Sequence, residues 1–124
     1  MMFKIKANPN EWKRDIYIAK KLEIDLDDEG NEIVIYDEPV KYSFTVSTPK
    51  SYAEIAEFGE KVGITRKIVV PIELDKEFKE FDVAYIDTTP EEETRNGINA
   101  DYRLLPPRVG NSVIVIYLEK ILGK

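Results

Sequence analysis

The chain has no cysteine and no histidine. The first absence excludes disulfides and thiolate metal ligands, and it is compatible with synthesis in the cytoplasm. The second removes the commonest general base and the histidine-dependent nucleophile triads. Together they remove the usual zinc sites. Long apolar runs are missing as well: charged residues interrupt every segment, so no bilayer-crossing helix is expected. The opening residues, Met1-Met2-Phe3-Lys4-Ile5-Lys6, hold no apolar core of signal-peptide length, and no secretion is expected from them. A basic block is also lacking. Lys and Arg are interspersed with acids, and the formal net charge is −6, which argues against general affinity for duplex backbones.

What is present suits one packed domain. The 124 residues have room for one modest core, and 43% hydrophobic with 34% charged residues places the chain among globular proteins rather than disordered ones. Period two appears first. Ile16, Ile18, Leu22, Ile24 and Leu26 fall on one face of an extended segment, opposite Asp15, Lys21, Glu23 and Asp25. Asp27-Asp28-Glu29-Gly30-Asn31 supplies turn chemistry, and Ile33 to Tyr36 reads as a returning strand. Residues 14–36 are therefore expected to form a β-hairpin.

Tyr42, Phe44 and Val46 alternate in a third strand. The period then changes. Ser51 followed by Glu54 is a capping-box pattern, and Ile55, Phe58 and Val62 lie three and four apart. Gly63 offers a left-handed stop, predicting a helix over about Tyr52 to Val62 that packs one apolar stripe. Ile68, Val70 and Ile72 alternate again, with Pro71 suggesting an edge or bulge. Phe78 and Phe81 are expected to tuck beneath a polar turn. Strands follow at Val83 to Ile86, Tyr102 to Leu105 and Val113 to Leu118, the last apolar on both faces and hence central. Residues 87–101 read as a long solvated loop. The expected fold is mostly β: a small antiparallel barrel of six or seven strands with one short inserted helix, and no second domain.

No pattern points to catalysis. Ser43, Ser47, Ser51 and Ser112 stand in strand, turn or cap contexts that explain them without a Ser–Lys pair. Asp25, Asp27, Glu29 and Gly30 resemble the opening of a calcium loop, but Tyr36 stands where the closing bidentate acid belongs. A glycosidase pair needs two acids held in a cleft, whereas these acids fall in turns and on polar strand faces. No Gly-rich loop opens a helix to cradle phosphate. No cofactor and no metal are expected. Tyr17, Tyr36, Tyr42, Tyr85 and Tyr117 offer an alternative: a stacking platform for single-stranded nucleic acid on an oligonucleotide-binding-like barrel. Their neighbours are neutral or acidic, which favours core and protein-interface roles. Trp12 fits a core lid and an interface anchor equally well.

The order of segments resembles the head-closure, or head–tail joining, proteins of long-tailed bacteriophages. The resemblance runs through Arg14-Asp15-Ile16-Tyr17-Ile18, Asp28-Glu29-Gly30-Asn31, Tyr42 to Val46 and Glu54 to Gly59. It continues through Phe81-Asp82-Val83-Ala84-Tyr85-Ile86, Ala100-Asp101-Tyr102-Arg103-Leu104 and Val113 to Glu119. Residues 87–101 are longer than the family's turn there, and no Trp-centred segment follows the first hairpin. The resemblance implies a non-enzymatic virion protein made in a bacterial host's cytoplasm. Its subunits would form a homo-oligomeric ring that closes the DNA-filled head, joins portal or adaptor to tail-completion proteins, and lets duplex DNA pass without specific binding. It implies no membrane partner. Heterologous ring contacts need two different sticky surfaces. The candidates are Trp12, the helix residues Ile55 and Phe58, and the acidic loop residues Glu91, Glu92 and Glu93.

Overall fold

The computed structural model describes residues 13–90 and 99–122. Nine strands and one α-helix are found among them: β1 Lys13–Ala19, β2 Lys21–Leu26, β3 Glu32–Tyr36, β4 Val40–Ser47, α1 Tyr52–Phe58, β5 Thr65–Pro71, β6 Val83–Tyr85, β7 Tyr102–Leu104, β8 Arg108–Val109 and β9 Val113–Lys120. Six strands close an antiparallel barrel in the order β5-β4-β1-β6-β7-β9, with β9 returning to pair with β5, and β8 adds to β9. Strands β2 and β3 form a separate two-stranded sheet. The expected mostly β barrel with one short helix is the observed architecture.

The alternating side chains explain the closure. Ile16 and Ile18 from β1, Phe44 from β4, Ile68 and Val70 from β5, Leu104 from β7, and Ile114, Ile116 and Leu118 from β9 fill one buried core. Phe78 joins them, set edge-on to Tyr42 and Phe44 with ring centroids 5.1 and 6.1 Å away. A second cluster of Ala19, Val83, Tyr85 and Ala100 is covered by Tyr36 of the β2–β3 sheet, with Tyr17 and Ile121 beside it. As expected, β9 is central, with ladders to β5, β7 and β8. Pro71 ends β5 beyond its last partner in β4, where a missing amide is tolerated.

Four local expectations need correction. The expected first arm of the hairpin is two strands: β1 belongs to the barrel, and only Lys21–Leu26 pairs with β3. Consequently Ile16 and Ile18 are buried whereas Leu22, Ile24 and Leu26 are exposed. The helix ends at Gly59, whose φ of 54° and amide bond to the Ile55 carbonyl close the last turn, and Gly59–Ile64 continues as a 3-10 turn. Glycine takes that φ without a Cβ penalty, so Gly63 is not the stop. The helix buries Glu54 rather than an apolar stripe, and Ile55 faces outward. Finally, Phe81 is exposed at a φ of 76°, with the Lys21 ammonium 5.4 Å from its ring centre.

Candidate interaction surfaces

The most elaborate polar cluster on the barrel wall surrounds Glu54. The capping box forms as the sequence predicts: Ser51 Oγ accepts the Glu54 amide, and Glu54 Oε1 accepts the Ser51 and Lys50 amides. Its other oxygen, Oε2, accepts the Tyr117 hydroxyl at 2.6 Å and Lys67 Nζ at 2.9 Å. Helix α1 is thereby tied to β9 and β5. The Tyr117 hydroxyl, Lys67 and the cap amide hold the Glu54 carboxyl well below the usual carboxylate range. Desolvation, then the bond to Glu54, pushes the Tyr117 phenol up to about 12. Both shifts keep the proton on the phenol and the charge on the carboxylate, which is a fixed tie rather than a proton relay. Phe58 packs on the Tyr117 ring at 4.8 Å, and Arg108 stacks over that ring at 4.6 Å while pairing with Glu57.

The other buried acids also serve the backbone. Asp82 accepts the Lys21 and Lys79 amides, and Asp101 accepts the Ile86 and Asp87 amides, each at 2.8–3.0 Å. Among the described residues, every buried side-chain nitrogen and oxygen has a hydrogen-bond partner. At the hairpin tip, Asp27 Oδ1 accepts the Glu29 and Asn31 amides, and Gly30 has a φ of 84°. Those bonds make it a self-satisfied turn of the Asx kind. Tyr85 and Tyr117 are buried and Tyr17, Tyr36 and Tyr42 half-buried, so the five tyrosines do not form one open stacking face.

Exposed apolar side chains concentrate outside the barrel wall. Leu22, Ile24 and Leu26 are 59%, 50% and 62% exposed on the β2–β3 hairpin, and Tyr52 and Ile55 are exposed on α1. Of the residues expected to form interfaces, Ile55 is open. Phe58 is half-buried, holding the helix to Tyr117 and lining an acidic depression of about 490 Å³ with Glu57, Glu60 and Glu119. Trp12, Glu91, Glu92 and Glu93 lie outside the described residues. The hairpin surface was legible as an alternating stripe, but the sequence ran it together with Ile16 and Ile18, which are buried.

A second surface is a groove of about 770 Å³ lined by Arg14, Thr45, Val46, Ser47, Thr48, Lys50 and Lys67. Arg14 donates to the Ile86 carbonyl and to Asp87, and Lys67 pairs with Glu54. No groove residue is acidic, which sets this area apart in a chain of net charge −6. Among the described residues, no helix is long and apolar enough to cross a membrane, and no group of acids is placed to hold a metal ion.

These features define a class: a small closed antiparallel barrel carrying an appended hairpin and helix. The solution structure of protein SF1141 from Shigella flexneri 2a shares this fold, with a TM-score of 0.58 and 16% identity over 90% of this chain and 96% of that one. No family model and no curated protein matches the sequence.

Proposed function

We propose that this protein is a structural subunit of a phage or prophage head–tail joint, assembling as a ring between portal and tail and performing no catalysis. The observation that carries the reading is where the exposed apolar side chains lie. Barrel closure removes most open sheet edges, so association must use side-chain surfaces rather than strand addition. Leu22 and Ile24 on the hairpin and Tyr52 and Ile55 on the helix supply separate exposed surfaces, enough for a ring subunit to meet both its neighbours and the portal or tail. The net charge of −6 suits a channel that repels duplex DNA and lets it slide. Under this reading the protein resides in the virion after synthesis in the host cytoplasm.

The test is reconstitution with portal and tail-completion proteins encoded beside it. Electron microscopy is expected to show an added ring below the portal, and Ile24→Lys is expected to remove it. Failure of the wild-type chain to bind either partner refutes the reading. A second reading, a barrel that binds single strands, draws support from the Arg14–Lys50–Lys67 groove. Salt-sensitive binding of single-stranded oligonucleotides that Lys50→Glu abolishes would favour it.

A further inference from the structure

We propose that the β2–β3 hairpin of one copy seats in the Arg14–Lys50–Lys67 groove of a second copy, joining identical chains head to tail. This contact supplies the subunit joint of the ring and rests on that reading.

The two surfaces differ in shape and charge as partners should. Ile24 and Leu26, two residues apart in the regular part of the β2–β3 ladder, share one face of the hairpin and are at least half exposed, with the exposed Leu22 at the bulge before them. Beyond them Asp28, Glu29 and Glu32 form an exposed acidic tip. The groove offers the complement. Its lining runs along Thr45, Val46 and Ser47 of β4, and its charged members are three cations. Asp87 offsets Arg14 and Glu54 offsets Lys67, whereas the Lys50 ammonium meets no acid among the described residues. An acidic tip entering a cationic groove gains from electrostatic complementarity, while aliphatic side chains meeting Val46 are removed from water.

Strand register places these surfaces at opposite ends of one strand pair. The hairpin leaves the barrel where Ile18 pairs with Val40, and the groove lies where Lys13 and Arg14 pair with Thr45 and Phe44. Arg14 and Ile18 are about 13 Å apart at the rise of a strand. Filling the groove with a neighbour's hairpin leaves one free hairpin and one free groove on the pair, so the contact repeats.

The absence of native cysteine makes the test clean. Ile24 on the hairpin and Thr48 in the groove are both exposed, so Ile24→Cys and Thr48→Cys are expected to retain the wild-type circular dichroism spectrum. Mixed under mild oxidation, the two single-cysteine chains form the heterodisulfide in excess of the proportion random collision gives, because bridging needs Cα atoms within about 7 Å. Lys50→Glu in the groove chain lowers that yield about two- to five-fold, and Glu29→Lys in the hairpin chain restores it. The double variant I24C/T48C oxidises to a ladder of oligomers. Disulfides in random proportion, or a double variant that stops at the dimer, overturn the proposal. Portal binding is read separately. A heterodisulfide without portal binding leaves the contact standing and removes the proposed role, and portal binding with random disulfides does the reverse.

Discussion

Replacing Glu54 with Gln tests whether one carboxylate ties the helix to the barrel. The wild-type group accepts four bonds: two from cap amides, one from the Tyr117 hydroxyl and one from Lys67. Glutamine offers one carbonyl oxygen, cannot serve both sides, and leaves Lys67 facing a neutral amide. Charge-assisted bonds contribute about 1.5–3 kcal/mol each and neutral ones about 0.5–1.5, so weakening those to Tyr117 and Lys67 costs about 2–3 kcal/mol. That is a large share of the roughly 5–15 kcal/mol that stabilises a domain. Urea unfolding at pH 7, followed by circular dichroism, is expected to show this loss as a lower midpoint at unchanged slope. The folded carboxyl lies below its ordinary 4.5, so Glu54 stabilises the fold fully above that pH. The contribution disappears as pH falls from there through the depressed value, and the gap between wild type and E54Q narrows. A variant within about 0.5 kcal/mol of wild type at pH 7, or a gap that persists in acid, refutes the tie.

Tyr117 should titrate with its pKa pushed up to about 12 in a spectrophotometric scan of the folded protein. Because the unfolded phenol releases its proton earlier, stability should fall as pH rises past the ordinary 10. Asp101→Ala strands the Ile86 and Asp87 amides and is expected to cost about 2–4 kcal/mol in denaturant unfolding. Gly59→Ala should cost about 1–2 kcal/mol through backbone conformation alone, since a methyl there meets nothing within 4 Å. Ile24→Lys should change stability by less than about 0.5 kcal/mol in the same assay while weakening association.

Features governed by near neighbours were readable in the residues. The Ser51–Glu54 capping box spans four positions, and both reciprocal bonds form. Tyr42, Phe44 and Val46 alternate at the spacing β4 needs, and Asp27 to Asn31 makes its own turn. The break at Lys20 was faintly marked, by one charged residue on the apolar face of a period-two run from Ile16 to Leu26, and a lone lysine there does not say where a strand ends. Only the partners divide it: β4 and β6 for β1, β3 for β2. The inward turn of Glu54 was hidden for a similar reason. A carboxylate on the buried side of a helix is tolerated when Lys67 and Tyr117 meet it, and these lie 13 and 63 residues away.

Composition and local pattern alone determined a mostly β chain with one capped helix, an acidic balance, and none of the thiol or imidazole chemistry that cysteine and histidine supply. Tertiary structure decided that six strands close on themselves, which apolar stripe is core and which is surface, and that a cationic groove opens at one end of β1 and β4. The division follows from range. Turns and caps are settled by groups a few residues apart, whereas burial and charge neighbourhood depend on strands that meet only when the barrel shuts.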